Sequence, residues 1–181
     1  MTAAPISLDD ALTDPHLLGA ALGPVAPWSA WRAILKAAFA EPLTPAELKT
    51  FKALAGGRKP PKRRVSELWV GAGRRSGKSR AAALVATYLG AILGDHAHRL
   101  APGEQGVVLL VAPTKEQAGL ARAYVKAFLS TSAFLSPLVA SETADAIELT
   151  NGISIVIGAA SYRTTRGPPG RGDRRGRIPS G

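Results

Sequence analysis

The 181 residues include no cysteine, one methionine and three histidines. Without thiols the chain forms no disulfide and no thiolate metal site, so its stability must come from a packed core, and a reducing cytoplasm suits it. None of the three histidines lies in a catalytic motif, so neither a Ser-His-Asp nor a Cys-His arrangement can be argued. The pair in Asp95-His96-Ala97-His98 lies in a polar connector without further ligands nearby and is a weak metal candidate. No apolar run approaches the roughly 20 residues that span a bilayer. The opening MTAAPISLDDALTDPHLLGA also lacks the basic start and apolar centre of a secretory signal, so we expect no membrane partner and a cytoplasmic location.

Acidic residues are scarce as well. Thirteen Asp and Glu face 23 Lys and Arg, a net charge of +10, which favours a polyanionic partner. The excess is clustered. Residues 166–181 hold five arginines against Asp173 alone, and RKPPKRR, from Arg58 to Arg64, carries much of the rest beside two prolines that favour an extended connector. These clusters read equally well as solvated linker and tail or as contacts to DNA. The hydrophobic share of 46% is ample for one core in a chain of this length.

Four regions are expected. Residues 1–27 show no sustained period and read as a mobile or loosely docked lead. Residues 28–65 read as a small helical extension and basic linker: in PWSAWRAILKAAF, Trp28, Trp31, Ile34, Leu35 and Ala38 share one helical face. In LTPAELKTFKALAGG, Thr44 caps a helix with Pro45 first and Glu47 completing a capping box, and Gly56-Gly57 ends it. From Ser66 to Gly167, short apolar runs alternate with helical ones, the pattern of an α/β domain with a mostly parallel sheet. SELWVGAG reads as a buried strand, SRAAALVATYLGAIL as a helix with Leu84, Val85, Tyr88, Leu89 and Ile92 inward, and GVVLLVAPT as a second strand. Thr114 and Gln117 cap the helix KEQAGLARAYVKAFL. Asn151-Gly152 in AIELTNGISIVIGA predicts a two-residue hairpin turn, and Glu142, Asp145 and Glu148 flank it on a solvated face. Residues 168–181 form a basic tail without apolar pattern, expected to be disordered.

The chemistry is concentrated in GAGRRSGKSR, residues 71–80. A glycine-rich turn between an apolar strand and a helix, ending Gly77-Lys78-Ser79, matches a phosphate-binding loop whose backbone N–H groups cradle phosphates at a helix N-terminus. Lys78 would neutralise the terminal phosphates and the Ser79 hydroxyl would ligate Mg²⁺. Gly73 and Gly77 allow backbone that a Cβ would obstruct. The usual first glycine, with four residues between it and Gly77, is replaced by Ala72.

Together, GRRSGKS, VVLLVAPTKEQA and SETADAIELTNGISIVIGAASYRTTRG resemble the large subunit of tailed-phage terminases, the ATP-driven motor that packs DNA into procapsids. The resemblance spans residues 28–167. It implies a P-loop NTPase fold of the ASCE type and binding of ATP and Mg²⁺ by Gly73, Arg74, Arg75, Ser76, Gly77, Lys78, Ser79 and Arg80. Lys78, Arg74 and Arg75 would be the catalytic group, an arginine bridging phosphate oxygens as charge develops, and Ser79 the metal ligand. Double-stranded DNA, the portal and procapsid, and the small terminase subunit are the partners it implies, in the cytoplasm of a bacterial host.

The chain departs from that family after the hairpin. The family continues into an apolar strand ending Asp-Glu, which holds Mg²⁺ and activates water, and later into motor and nuclease motifs. Here the sequence reads GPPGRGDRRGRIPSG, and the prolines argue against a strand before Asp173. We therefore expect a truncated ATPase domain that hydrolyses ATP poorly or not at all. The tail also fits a translated frameshift beginning near Gly167. Read one nucleotide later, the codons for GDRRGRI and the next base allow Val-Ile-Asp-Glu-Ala-Ala-Phe, provided that Arg174 and Arg175 are both encoded by CGA. Two other readings remain open: a helicase-like ATPase, which shares the loop and the VAPT-type strand, and a non-enzymatic basic protein that binds nucleic acid through RKPPKRR and the tail.

Overall fold

The structure is a computed structural model, and it describes residues 6–24, 26–93, 100–101 and 103–160. Asp95, His96 and His98, Arg166 and Gly167, and the whole basic tail with its frameshift expectation lie outside the described residues.

Among the described residues six α-helices and four strands carry the fold: α1 Leu8–Thr13, α2 Gly19–Leu22, α3 Ser29–Ala38, α4 Pro45–Leu54, α5 Lys78–Thr87, β1 Gly106–Ala112, α6 Lys115–Thr131, β2 Val139–Glu142, β3 Ala146–Leu149 and β4 Ile153–Ala159. The fold is α/β. Its sheet is mixed, in the order β1-β4-β3-β2, with β1 parallel to β4 and the other neighbours antiparallel. The expectation of a mostly parallel sheet is therefore corrected. Hairpin geometry dictates antiparallel pairing from β2 to β4, and the segment read as a first parallel strand does not enter the sheet.

That segment, residues 66–73, is irregular, and Leu68, Trp69 and Val70 are exposed, Trp69 by 90%. Apolar composition alone favours burial only where a surface receives it, and here no ladder forms around these residues. The second predicted strand does form, as β1, yet Val107, Leu109 and Val111 stay exposed on one side. Helices α5 and α6 pack on each other and on the opposite face, which carries Val108, Leu110, Ile153, Ile155 and Ile157. One face of β1 is thus covered and the other is open.

Local signals hold well elsewhere. Thr44 accepts from the Glu47 N–H at 3.3 Å, and the Glu47 carboxylate accepts from the Thr44 N–H at 2.8 Å, completing the capping box. Thr114 caps α6 by accepting from the Gln117 N–H at 3.3 Å. Leu84 and Tyr88 are buried as expected, while Val85, Leu89 and Ile92 are half-buried. α5 widens into a π-helical turn over Tyr88–Ile92, where Gly90 packs against Ile155 so closely that a Cβ would lie 3.1 Å from its side chain. The hairpin connection has three residues, Thr150 to Gly152, instead of two, with Gly152 at φ 81°. Asn151 donates to the Gly90 carbonyl at 2.8 Å, so the turn is shaped by a tertiary contact. On the hairpin's polar side Glu142 pairs with Lys126 at 2.7 Å and Arg122 at 3.6 Å.

The lead differs most from expectation. Leu8–Thr13 and Gly19–Leu22 form α1 and α2, and Leu8, Ala11, Leu12, Leu18 and Leu22 are buried in the same core as α5, α6 and the sheet. Polar anchors hold them there. The Tyr88 hydroxyl donates to the Ile6 carbonyl at 2.9 Å, Ser132 to the His16 carbonyl at 2.5 Å, and the Asp9 N–H to the Glu41 carboxylate at 3.0 Å. Helices of six and four residues are too short to establish a 3.6-residue period, so sequence pattern could not distinguish them from coil. α1, α3 and α4 meet at an ion cluster. Arg32 and the buried Lys36 bridge Asp9 and Glu47, with closest approaches of 2.7 Å for Arg32 to Asp9 and 2.9 Å for Lys36 to Glu47.

Candidate functional site

Residues 71–77 lead into α5 along an exposed path, and its geometry is set by two left-handed residues. Gly77, the N-cap of α5, has φ 79° and ψ 10°, and Arg75 has φ 62°. A positive φ costs glycine nothing extra but is uncommon for arginine. Left-handed residues alternating with right-handed ones form the concave backbone in which successive N–H groups converge on an anion. Ser76 Oγ donates to the Gly73 carbonyl at 2.8 Å and closes the turn on itself.

No side chain caps α5. The N–H groups of its first turn, at Lys78, Ser79 and Arg80, have no partner within the helix by the nature of a helix start, and they add to the positive end of the dipole. Lys78 is exposed and Ser79 half-buried. Arg74 and Arg75 project from the exposed loop, and nothing lies within 4 Å of a Cβ placed at Gly73. Gly73, Arg74, Arg75, Ser76, Gly77, Lys78 and Ser79 are thus brought to one accessible turn.

Arg80 is placed differently. Its guanidinium lies 5.1 Å from the centre of the Trp28 ring and donates to the carbonyls of Ala21 and, at 3.3 Å, Leu22. Its side chain fastens α5 to the N-terminal helices, leaving only its backbone N–H toward the loop side of the helix start. Sequence reasoning placed Trp31 on the apolar face of α3 but not beside this loop. The indole N–H donates to the Ser76 carbonyl at 2.6 Å across 45 positions of sequence. No local pattern could have announced that contact, because it exists only once α3 and α5 have docked.

Backbone donors at a helix start, a free ammonium at Lys78 and a hydroxyl at Ser79 suit a polyphosphate carrying Mg²⁺. Among the described residues no group of three or more His, Cys, Asp or Glu gathers to form a metal centre by itself. A metal here would lean on Ser79 and on phosphate oxygens.

A second feature is electrostatic. Arg58, Lys59, Lys62, Arg63 and Arg64 are all exposed along the linker, and Arg64 lies 5.0 Å over the Phe39 ring. The linker is anchored at its far end by the Val65 N–H to the Ala38 carbonyl, 2.9 Å. Among the described residues no helix is long and apolar enough to cross a membrane. Comparison of the chain with protein-family models, curated proteins and solved structures finds no match.

Proposed function

We propose that the chain binds ATP with Mg²⁺ through residues 73–79 and is the ATP-binding part of a viral DNA-packaging motor of the large-terminase kind. The observation that carries the reading is the Gly77-Lys78-Ser79 turn: a left-handed glycine caps α5, no side chain covers the first-turn N–H groups, and Lys78 stands exposed beside them. The backbone donors would hold phosphate oxygens, Lys78 would neutralise the terminal phosphates, and Ser79 would face the metal. Bound Mg²⁺ would supply charge neutralisation between phosphates.

Hydrolysis is a separate matter. It needs a carboxylate that orients water and polar groups preset around the transferring phosphoryl. The residues after β4, ASYRTTRGPPGRGDRRGRIPSG, contain no Asp-Glu pair, so we propose that these 181 residues by themselves bind with little or no turnover. Titration calorimetry with Mg·ATP should show saturable binding that Lys78→Ala abolishes, and phosphate release should not exceed that of the variant. Equal affinities would refute the binding site. Turnover lost on Lys78→Ala would refute the hydrolytic deficiency.

The exposed linker cations favour a second reading, contact with the phosphates of double-stranded DNA. Binding that survives Lys78→Ala but falls steeply with salt would support it.

A further inference from the structure

The hydrogen bond from Trp31 to the Ser76 carbonyl controls more than that carbonyl. Ser76 C=O and Gly77 N–H belong to one planar peptide group, and among the described residues no peptide bond is cis. In a trans peptide the two point in opposite directions. Holding the carbonyl toward the indole, at 2.6 Å, therefore turns the Gly77 N–H away from it.

The indole side of the loop is filled. A Cβ on Gly77 would meet the Trp28 ring at 3.5 Å and the Trp31 nitrogen at 3.6 Å. The two indoles therefore occupy that side, and the Gly77 N–H is directed to the other. Glycine tolerates either orientation of the preceding peptide, since rotation about the flanking bonds meets no Cβ. Without an anchor, the Ser76–Gly77 peptide would be free to present its carbonyl, a repulsive group, to the phosphates.

We propose that Trp31 is a positioning residue for phosphate binding, locking the Ser76–Gly77 peptide with its N–H toward the anion and so making the helical extension part of the site. The proposal rests on the polyphosphate reading above. The anchor is itself held firmly. Trp31 sits on α3, which Arg32 and Lys36 tie to Asp9 and Glu47, and Arg80 fastens the first turn of α5 to Trp28, Ala21 and Leu22. Loop and extension are thus joined on both sides of Gly77.

Base stacking on the same tryptophans is the rival role. The recess they line with Leu12, Leu22, Leu35 and Leu84 holds about 20 Å³, room for roughly one water and far too little for a purine. The experiment should still separate the two roles. Trp31→Phe keeps a ring and removes the donor, and 3-benzothienylalanine at position 31 removes the donor while keeping the shape. Each full-length variant, shown folded by its thermal transition, is titrated with Mg·ATP and with inorganic triphosphate.

Loss of one oriented donor should weaken both ligands by the same factor, about five- to tenfold. In the wild type the Gly77 amide proton should shift downfield on adding triphosphate, and in the benzothienyl variant that shift should shrink. Unchanged affinity in the benzothienyl variant would overturn the proposal. So would a loss confined to ATP, which would assign the ring to the base. If wild type binds neither ligand, or Lys78→Ala binds both equally well, the polyphosphate reading fails and the proposal with it. A wild type that binds normally beside an unaffected benzothienyl variant refutes the role of Trp31 alone.

Discussion

Replacing Lys36 with Met isolates the charge of a buried side chain from its bulk, because methionine keeps the length and most of the volume. Lys36 is 4% exposed, and its ammonium donates to Asp9 at 3.1 Å and to the two Glu47 oxygens at 2.9 and 3.2 Å. Without it Asp9 and Glu47 must share the Arg32 guanidinium, which reaches them at 2.7 and 3.3 Å. Removing one partner from a fully buried ion pair costs about 3–5 kcal/mol. Two features reduce that here: Arg32 remains, and the Asp9 and Glu47 side chains keep 29% and 13% of their surface in water. We expect a loss of about 2 kcal/mol, or a Tm lower by about 4–8 °C for a chain of this size. Urea denaturation is the assay, with the midpoint falling at constant slope. The loss should shrink in acid, because protonated carboxylates no longer need the ammonium. A loss below about 0.5 kcal/mol at neutral pH, or one that does not diminish in acid, would refute the assignment of stability to this cluster.

The same cluster predicts the pH response of the wild type. Burial pushes the Asp9 and Glu47 carboxyls up, but hydrogen bonds to Arg32 and Lys36 for Asp9, and to the Thr44 N–H and Lys36 for Glu47, outweigh it and hold both below their ordinary range. A depressed carboxyl contributes stability that is present above its unfolded pKa, about 4, and is lost as pH falls through the folded value, so unfolding free energy should drop steadily below about pH 4. Lys36 is raised in turn: burial lowers it, but Glu47 and Asp9 more than offset this, so its share persists below its unfolded pKa near 10 and is lost only in stronger alkali. Proton-linked denaturation curves from pH 2 to 8 test the acid limb, and a flat profile below pH 4 would contradict it. The uncovered face of β1 predicts self-association. Leu109 is 50% exposed there, so Leu109→Lys should reduce light scattering at high concentration while changing stability by less than about 0.5 kcal/mol. Unchanged scattering would remove that face as its cause.

What sequence alone determined was local. Caps at Thr44 and Thr114 involve atoms three residues apart, so the letters suffice to place them. The helical spans of α3, α5 and α6 followed from apolar spacing, that of α4 from its capping box and terminal glycines, and the turn at Asn151-Gly152 from a glycine free to take positive φ. The phosphate-loop candidate was legible for the same reason, since its glycines, lysine and serine are neighbours in the chain. Tertiary structure decided what depends on which surfaces meet. It left Leu68, Trp69 and Val70 outside the sheet, exposed alternate residues of β1, and tied the three-residue hairpin connection to α5's π-helical turn through the bond from Asn151 to Gly90. It also drew residues 8–22 into the core with helices too short to show a period. Most consequentially for the candidate site, it brought Trp31 to Ser76 and turned Arg80 toward Trp28. Pairings 45 and 52 residues apart leave no periodic trace, because they are selected by the energy of a finished packing arrangement and not by the propensities of the segments that enter it.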